Sequence, residues 1–167
     1  MVAVIEDQRS SLLALIGIPV AGLCWSLGVW TARQPLLAQQ GLDGPGSITL
    51  ITAGGLAQTV ALWACFSAVT WAMVRAAGGR LPLLRVMELV SRAALPLWVA
   101  LPAAALWLTA PAGRAGPAAA VAMLAGLAFF ALLVRQLSLA AGWGGLRAAL
   151  PVAAAVIFVA SIFTLAA

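Results

Sequence analysis

Residues 48–74 read ITLITAGGLAQTVALWACFSAVTWAMV, and the uncharged stretch that contains them covers the 31 residues between Asp43 and Arg75. A helix needs about 20 predominantly apolar residues to cross the roughly 30 Å hydrocarbon core of a bilayer. A longer stretch is accommodated by tilting. These residues therefore predict a membrane-spanning helix, and the rest of the chain repeats their pattern.

Four more uncharged stretches are separated by charged residues, at 10–32, 93–113, 115–134 and 148–167. The chain is 65% hydrophobic and only 8% charged, whereas soluble domains carry about 25% charged residues. The sequence predicts an all-α integral membrane protein, a bundle of five transmembrane helices with short loops. The expected spans are about 10–31, 48–74, 93–109, 117–134 and 147–167, in a single domain, residues 1–167.

Prolines, glycines and charges predict where these helices are interrupted. We expect a loop over 34–47 and turns over 75–82, 111–116 and 136–145. Before the third span, Arg85, Glu88 and Arg92 recur at three- and four-residue spacing, which places them on one face of an amphipathic helix over 83–91. We expect that helix at the membrane surface, and we expect Pro96 and Pro102 to bend the span that follows.

The distribution of arginines predicts the orientation. Five spans put seven arginines on the side of the N-terminus: Arg9, Arg75, Arg80, Arg85, Arg92, Arg135 and Arg147. Only Arg33 and Arg114 fall on the other side. Because cytoplasmic loops carry the excess of basic residues, the N-terminus is expected in the cytoplasm. An alanine-rich sequence whose basic residues are all arginines is typical of a high-GC genome, so we expect a bacterial inner membrane.

The residues that usually carry catalysis or bind cofactors are scarce. The chain has no histidine, the commonest metal ligand and general base, and its four carboxylates lie at or beyond span ends. We therefore expect no enzyme activity, no cofactor and no metal. The pI near 11.5 does not indicate nucleic-acid binding, because the arginines lie at span ends rather than along one continuous basic face.

Two sets of residues are candidate contact sites. Gln58 and Thr59 interrupt the second span and predict an intramembrane polar contact, either a hydrogen bond between helices or a transport or lipid-headgroup site. The second set is a candidate docking site for lipids or a partner protein: Arg75, Arg80, Arg85, Arg92, Arg135 and Arg147. Its alternative interpretation is a topology signal with phospholipid phosphate contacts.

Three segments carry a resemblance to a known family: WAMVRAAGG at 71–79, VMELVSRAALP at 86–96, and GWGGLRAALP at 142–151 before a terminal apolar span. Over about Gly55–Ala167 the chain resembles the Yip family of Ypt/Rab-interacting membrane proteins and its bacterial relatives. The resemblance implies five spans and a cytoplasmic N-terminus. Eukaryotic members carry an acidic, tyrosine-bearing motif before their spans, and this chain has no tyrosine, so GTPase binding is not carried over.

Small residues recur four apart in several spans, as at Ala53, Ala57 and Ala61. Such spacing lets membrane helices approach closely. It predicts packing of the helices within the bundle, with docking onto a larger membrane complex as the alternative. The leading hypothesis is a non-catalytic accessory or scaffolding subunit that contacts membrane lipids and packs against other membrane-protein subunits. Two alternatives remain, a small transporter or channel-like protein with its polar site at Gln58, and a subunit that borders pigments or quinone in an energy-converting complex.

Overall fold

The computed structural model describes residues 2–42, 44–109 and 116–166, with side chains described over 16–42, 44–108 and 116–161. The side chains of Arg9, Asp43 and Arg114, used above to delimit and orient the spans, lie outside these ranges. The described residues form six helices and no strand: α1 (Val2–Gln39), α2 (Pro45–Ala76), α3 (Leu83–Ala93), α4 (Leu97–Thr109), α5 (Gly116–Ala141) and α6 (Gly145–Ala166).

Two of these helices, α2 and α5, are long and apolar enough to cross a membrane. A third crossing segment results if α3 and α4, which are bent by 68° at a short break, form one broken span. Over Gly145–Ser161, α6 is a shorter apolar helix. The chain is therefore an all-helical protein with two or three candidate membrane-spanning helices in its described part, as expected of a membrane protein.

The predicted loops at 34–47 and 136–145 are shorter in the structure, because α1 continues through Pro35 to Gln39 and α5 continues to Ala141. Both helices end where a glycine with positive φ allows the chain to turn back. After α1, Gly41 has φ 68°, and the Leu42 N–H donates to the Leu37 carbonyl at 2.8 Å. After α5, Gly142 has φ 66°. The prediction placed these loops too early because prolines and polar residues near a helix end were treated as its end.

The predicted bend at the third span is confirmed at Pro96. Residues 94–96 form a turn between α3 and α4, so the continuous helix expected over 93–109 begins only at Leu97. Proline disfavours helical geometry in the residue before it, which explains a break at this position. Pro102 lies within α4.

The helices divide between two compact units. Unit 1 comprises residues 1–16, 61–93 and 130–167, and unit 2 comprises 17–60 and 94–129. The core of unit 1 is aliphatic, and its largest fully buried side chains include Val74, Val86, Leu133, Leu137 and Val152. The apolar side of α3, with Val86, Leu89 and Val90, belongs to this core. Val86, Leu89 and Val90 of the expected apolar face therefore pack inside the protein, whereas Leu84 of the same helix is exposed.

Unit 2 is held together by close helix contacts at glycines of α1 and α2. A Cβ at Gly22 would lie 3.2 Å from the Thr59 side chain of α2, and a Cβ at Gly55 would meet the Ser26 hydroxyl of α1. Because later residues of α1 meet earlier residues of α2, these two helices are antiparallel. The Trp98 indole of α4 donates to the Gly17 carbonyl at 2.9 Å.

Farther along, a Cβ at Gly28 of α1 would lie 2.7 Å from Cα of Pro102 in α4. Contacts that advance along both helices together show that α4 runs parallel to α1 within unit 2. Small residues at such crossings let backbones approach closely, which is how helices associate where apolar surroundings remove the hydrophobic driving force.

Candidate functional site

The charged side of α3 is a short chain of ion pairs. Glu88 accepts from Arg85 at 2.5 Å and also pairs with Arg92 one helical turn later. The predicted placement of these three charges on one helix face is confirmed by this geometry. The side chains of Arg92 and Glu88 are only 23% and 28% exposed, against 43% for Arg85. One carboxylate therefore offsets one of the two arginines and leaves this element with one net positive charge.

The loop between α2 and α3, residues 77–82, is fastened from two other places in unit 1. The Arg147 guanidinium, near the start of α6, donates through Nη2 to the Ala77 carbonyl at 2.5 Å. That guanidinium also lies 4.6 Å from the centroid of the Trp143 ring, a cation–π arrangement. On the other side of the loop, the Trp71 indole of α2 donates to the Leu81 carbonyl at 3.2 Å.

Two glycines allow this loop to close tightly. Gly78 has φ 84°, in the left-handed region that favours glycine. A Cβ at Gly79 would lie 2.5 Å from Cγ1 of Val74 and 2.9 Å from the Trp143 ring. The ends of α2 and α5 and the starts of α3 and α6 therefore meet at one end of unit 1, which we call the basic end.

Four of the six predicted docking arginines lie at the basic end: Arg75, Arg80, Arg85 and Arg147. Arg92 lies one residue before the last residue of α3, and Arg135 lies six residues before the last residue of α5. Arg75, Arg80 and Arg135 are exposed, and among the described side chains none of the three has an ion pair. The tethers formed by Trp71 and Trp143 were not predicted. The only sequence signal for them is a tryptophan near each glycine-containing loop, since Trp71 lies six residues before the loop 77–82 and Trp143 lies between two glycines.

The structure separates the two predicted intramembrane polar residues. Thr59 turns toward α1, where its side chain lies beside Gly22 and its hydroxyl donates to the Gly55 carbonyl at 2.8 Å. Gln58 is exposed, and no described residue bonds its amide. The expected hydrogen bond from Gln58 to another helix of the chain is therefore not found among the described residues, and the two residues do not form one site.

One exposed side of α2 carries small residues between positions 53 and 68, and we call it the open face of α2; Gln58 is also exposed but points about 100° away from its centre at Ala57. At 100° per residue, the members of the open face fall within about 40° of Ala57 on the helical projection. They are Ala53, Ala57, Ala61, Ala64 and Ala68, all exposed. One turn before Ala53, the exposed Leu50 falls in the same arc. The exposed side of α5 differs, because it carries large side chains: Val121, Met123, Leu124 and Leu127.

Within the described residues there is no group of three or more His, Cys, Asp or Glu side chains that could hold a metal ion. Comparison with known proteins gives no match, since no family model, no curated protein and no solved structure is significantly similar to the chain. The resemblance to the Yip family therefore stays a prediction.

Proposed function

We propose that the chain is a non-catalytic inner-membrane protein of a bacterium that serves as an accessory or scaffolding subunit and packs against other membrane-protein helices through the open face of α2. The observation that carries the proposal is the contrast between the exposed sides of α2 and α5. Large aliphatic side chains such as Leu124 and Leu127 suit contact with acyl chains. A row of alanines suits close approach of another helix.

Gln58 supports the same assignment. An amide facing hydrocarbon without partners is costly, because lipid offers it no hydrogen bonds. A partner that covers both the open face and the adjoining side of α2 at Gln58 would bring polar or backbone groups to this amide. That partner would remove the cost of exposing the amide to lipid. Thr59 needs no partner, because its hydroxyl already donates to a carbonyl of its own helix.

The packing directions support alternate crossings in a five-pass arrangement, and the arginine bias supports a cytoplasmic N-terminus. In unit 2, α2 runs against α1 and α4, as alternate spans must. In unit 1, the end of α2 and the start of α6 meet at the basic end, as they must if both face the cytoplasm. The seven arginines expected on that side include all those of the basic end. The Yip-type five-span architecture proposed from the sequence has this same arrangement.

The test compares Ala57→Leu with a matched control, Ala128→Leu, at an exposed alanine of α5. The tagged proteins are expressed in their native membrane, solubilised in mild detergent and measured by native mass spectrometry. We expect the parent and Ala128→Leu in an assembly larger than the 17.0 kDa chain. Ala57→Leu should be released from it, because a leucine prevents close helix approach.

A stable 17.0 kDa monomer from the parent would contradict the proposal, as would equal retention of the two variants in the assembly. A second measurement separates the transport alternative. Solute flux across liposomes that contain the purified chain, abolished by Gln58→Leu, would favour a channel-like protein over an accessory subunit.

A further inference from the structure

We propose that the basic end of unit 1 binds the phosphate headgroup of an anionic phospholipid, with Arg75 and Arg80 as the principal contacts and neighbouring exposed leucines against the acyl chains. Arg75 lies on the same side of α2 as the open face, about two turns beyond Ala68, and Arg80 lies in the loop that follows. The inference does not depend on the identity, or the existence, of a partner subunit.

The first step of the argument is charge. Four arginines lie at the basic end, and Glu88 of α3 is the one acid paired in this region among the described side chains. Glu88 is already shared by Arg85 and Arg92. Arg75 and Arg80 therefore have no acid to neutralise them among the described side chains. The planar guanidinium fork of arginine matches the oxygen geometry of a phosphate.

The second step is pre-organisation. Arg75 lies two residues before Ala77, whose carbonyl is held by Arg147, and Arg80 follows Gly79, which packs against Val74 and Trp143. The backbone that carries the two free arginines is thus fixed on both sides of the loop. Less conformational freedom is lost when such a loop binds a ligand than when a mobile loop does.

The third step distinguishes a lipid from a soluble anion. Leu84 and Leu146, each next to an arginine in sequence, are 78% and 82% exposed. Trp71, near the end of α2, and Trp143, between α5 and α6, both contact the loop 77–82, and indole rings favour the headgroup level of a bilayer. A surface that presents cations, indoles and open leucines together fits a molecule with an anionic head and an apolar tail.

The test uses the full-length chain in mixed detergent micelles that contain equal amounts of phosphatidylglycerol and phosphatidylcholine with identical acyl chains. Native mass spectrometry measures which lipid stays bound. We expect the parent to retain phosphatidylglycerol preferentially. Each of Arg75→Gln and Arg80→Gln should lower that preference roughly fivefold, as expected for one near-surface cation, and the double variant should abolish it.

The matched control is Arg33→Gln, which removes an exposed arginine from α1 in unit 2. This variant should keep the parental preference. An unchanged preference in the Arg75→Gln/Arg80→Gln variant would overturn the proposal, and so would an equal loss in Arg33→Gln, because net charge alone would then explain the binding.

Three further experiments test the kind of ligand. Leu84→Asn combined with Leu146→Asn should weaken retention of phosphatidylglycerol, and no change would remove the argument for acyl contact. Displacement of the lipid by inorganic phosphate at millimolar concentration would show that the surface takes a free anion. Displacement by a poly-glutamate peptide in preference to phosphatidylglycerol would assign the surface to an acidic protein.

Discussion

The two sides of α2 differ most sharply at adjacent residues. A Cβ added at Gly55 would collide with the Ser26 hydroxyl of α1, whereas a Cβ added at Gly54 would meet no described atom within 4 Å. The two glycines are adjacent in sequence, yet packing against α1 requires a glycine at Gly55 and does not require one at Gly54. Small residues of α2 therefore occur in two settings. On one side of the helix they allow close helix crossings within the chain, and on the other side they form an exposed surface.

The largest effect is expected at the α1–α4 crossing, where the obstacle to a larger residue is backbone. In Gly28→Ala, the new Cβ would lie 2.7 Å from Cα of Pro102 and 3.1 Å from Cβ of Ala105. Neither atom can rotate away, so the helices must separate. We expect a loss of about 3 kcal/mol in the free energy of unfolding, at the upper end of overpacking costs.

Thermal unfolding of the purified protein in detergent, followed by circular dichroism, measures the loss in Gly28→Ala. Gly54→Ala is its matched control, since it makes the same substitution at an open position of unit 2. Equal unfolding midpoints for Gly28→Ala and the parent would show that α1 and α4 do not cross at this contact.

A smaller effect is expected at the α1–α2 crossing, because the obstacle there is a side chain. In Gly55→Ala the new methyl group meets the Ser26 hydroxyl, which donates to the Gly22 carbonyl at 2.9 Å. The hydroxyl must leave that position, so we expect a loss of about 1–2 kcal/mol. The double variant Gly55→Ala/Ser26→Ala should recover most of the loss, since the Ser26 Cβ would be 3.3 Å away.

The free energy of unfolding in detergent is measured for the parent, Gly55→Ala, Ser26→Ala and the double variant. These four values give the coupling energy between positions 26 and 55. Additive effects would mean that the two residues do not touch. This would break the distinction between the packed and open sides of α2.

Much of the helical framework could be predicted from the sequence, because it depends on local chemistry. The break at Pro96 and the single charged face of Arg85, Glu88 and Arg92 follow from residue type and spacing. The ends of α1 and α5 were predicted too early. Helix-forming residues such as Leu36 and Leu37 continue the helix past Pro35, and a glycine with positive φ determines where it stops.

The faces of the helices could not be predicted in the same way. Alanine and glycine occur on every side of α2, so spacing alone selected Ala53, Ala57 and Ala61 as a packing face, and the structure leaves that face exposed. The contact between Arg147 and Ala77 joins residues 70 positions apart, and no local pattern encodes it. Gln58 and Thr59 were paired because they are adjacent, although adjacent helix positions point about 100° apart.

The smallest effect, and the one that isolates the open side of α2, is expected for Gly54→Ala. With no described neighbour to obstruct the methyl group, the substitution removes a flexible residue from the middle of a 32-residue helix. Replacing glycine by alanine in a helix interior stabilises it by roughly 0.5–1 kcal/mol. The unfolding midpoint in detergent should therefore rise slightly or stay unchanged. A fall comparable to that of Gly55→Ala would mean that both sides of α2 are packed within the chain, and the proposed partner surface would be lost.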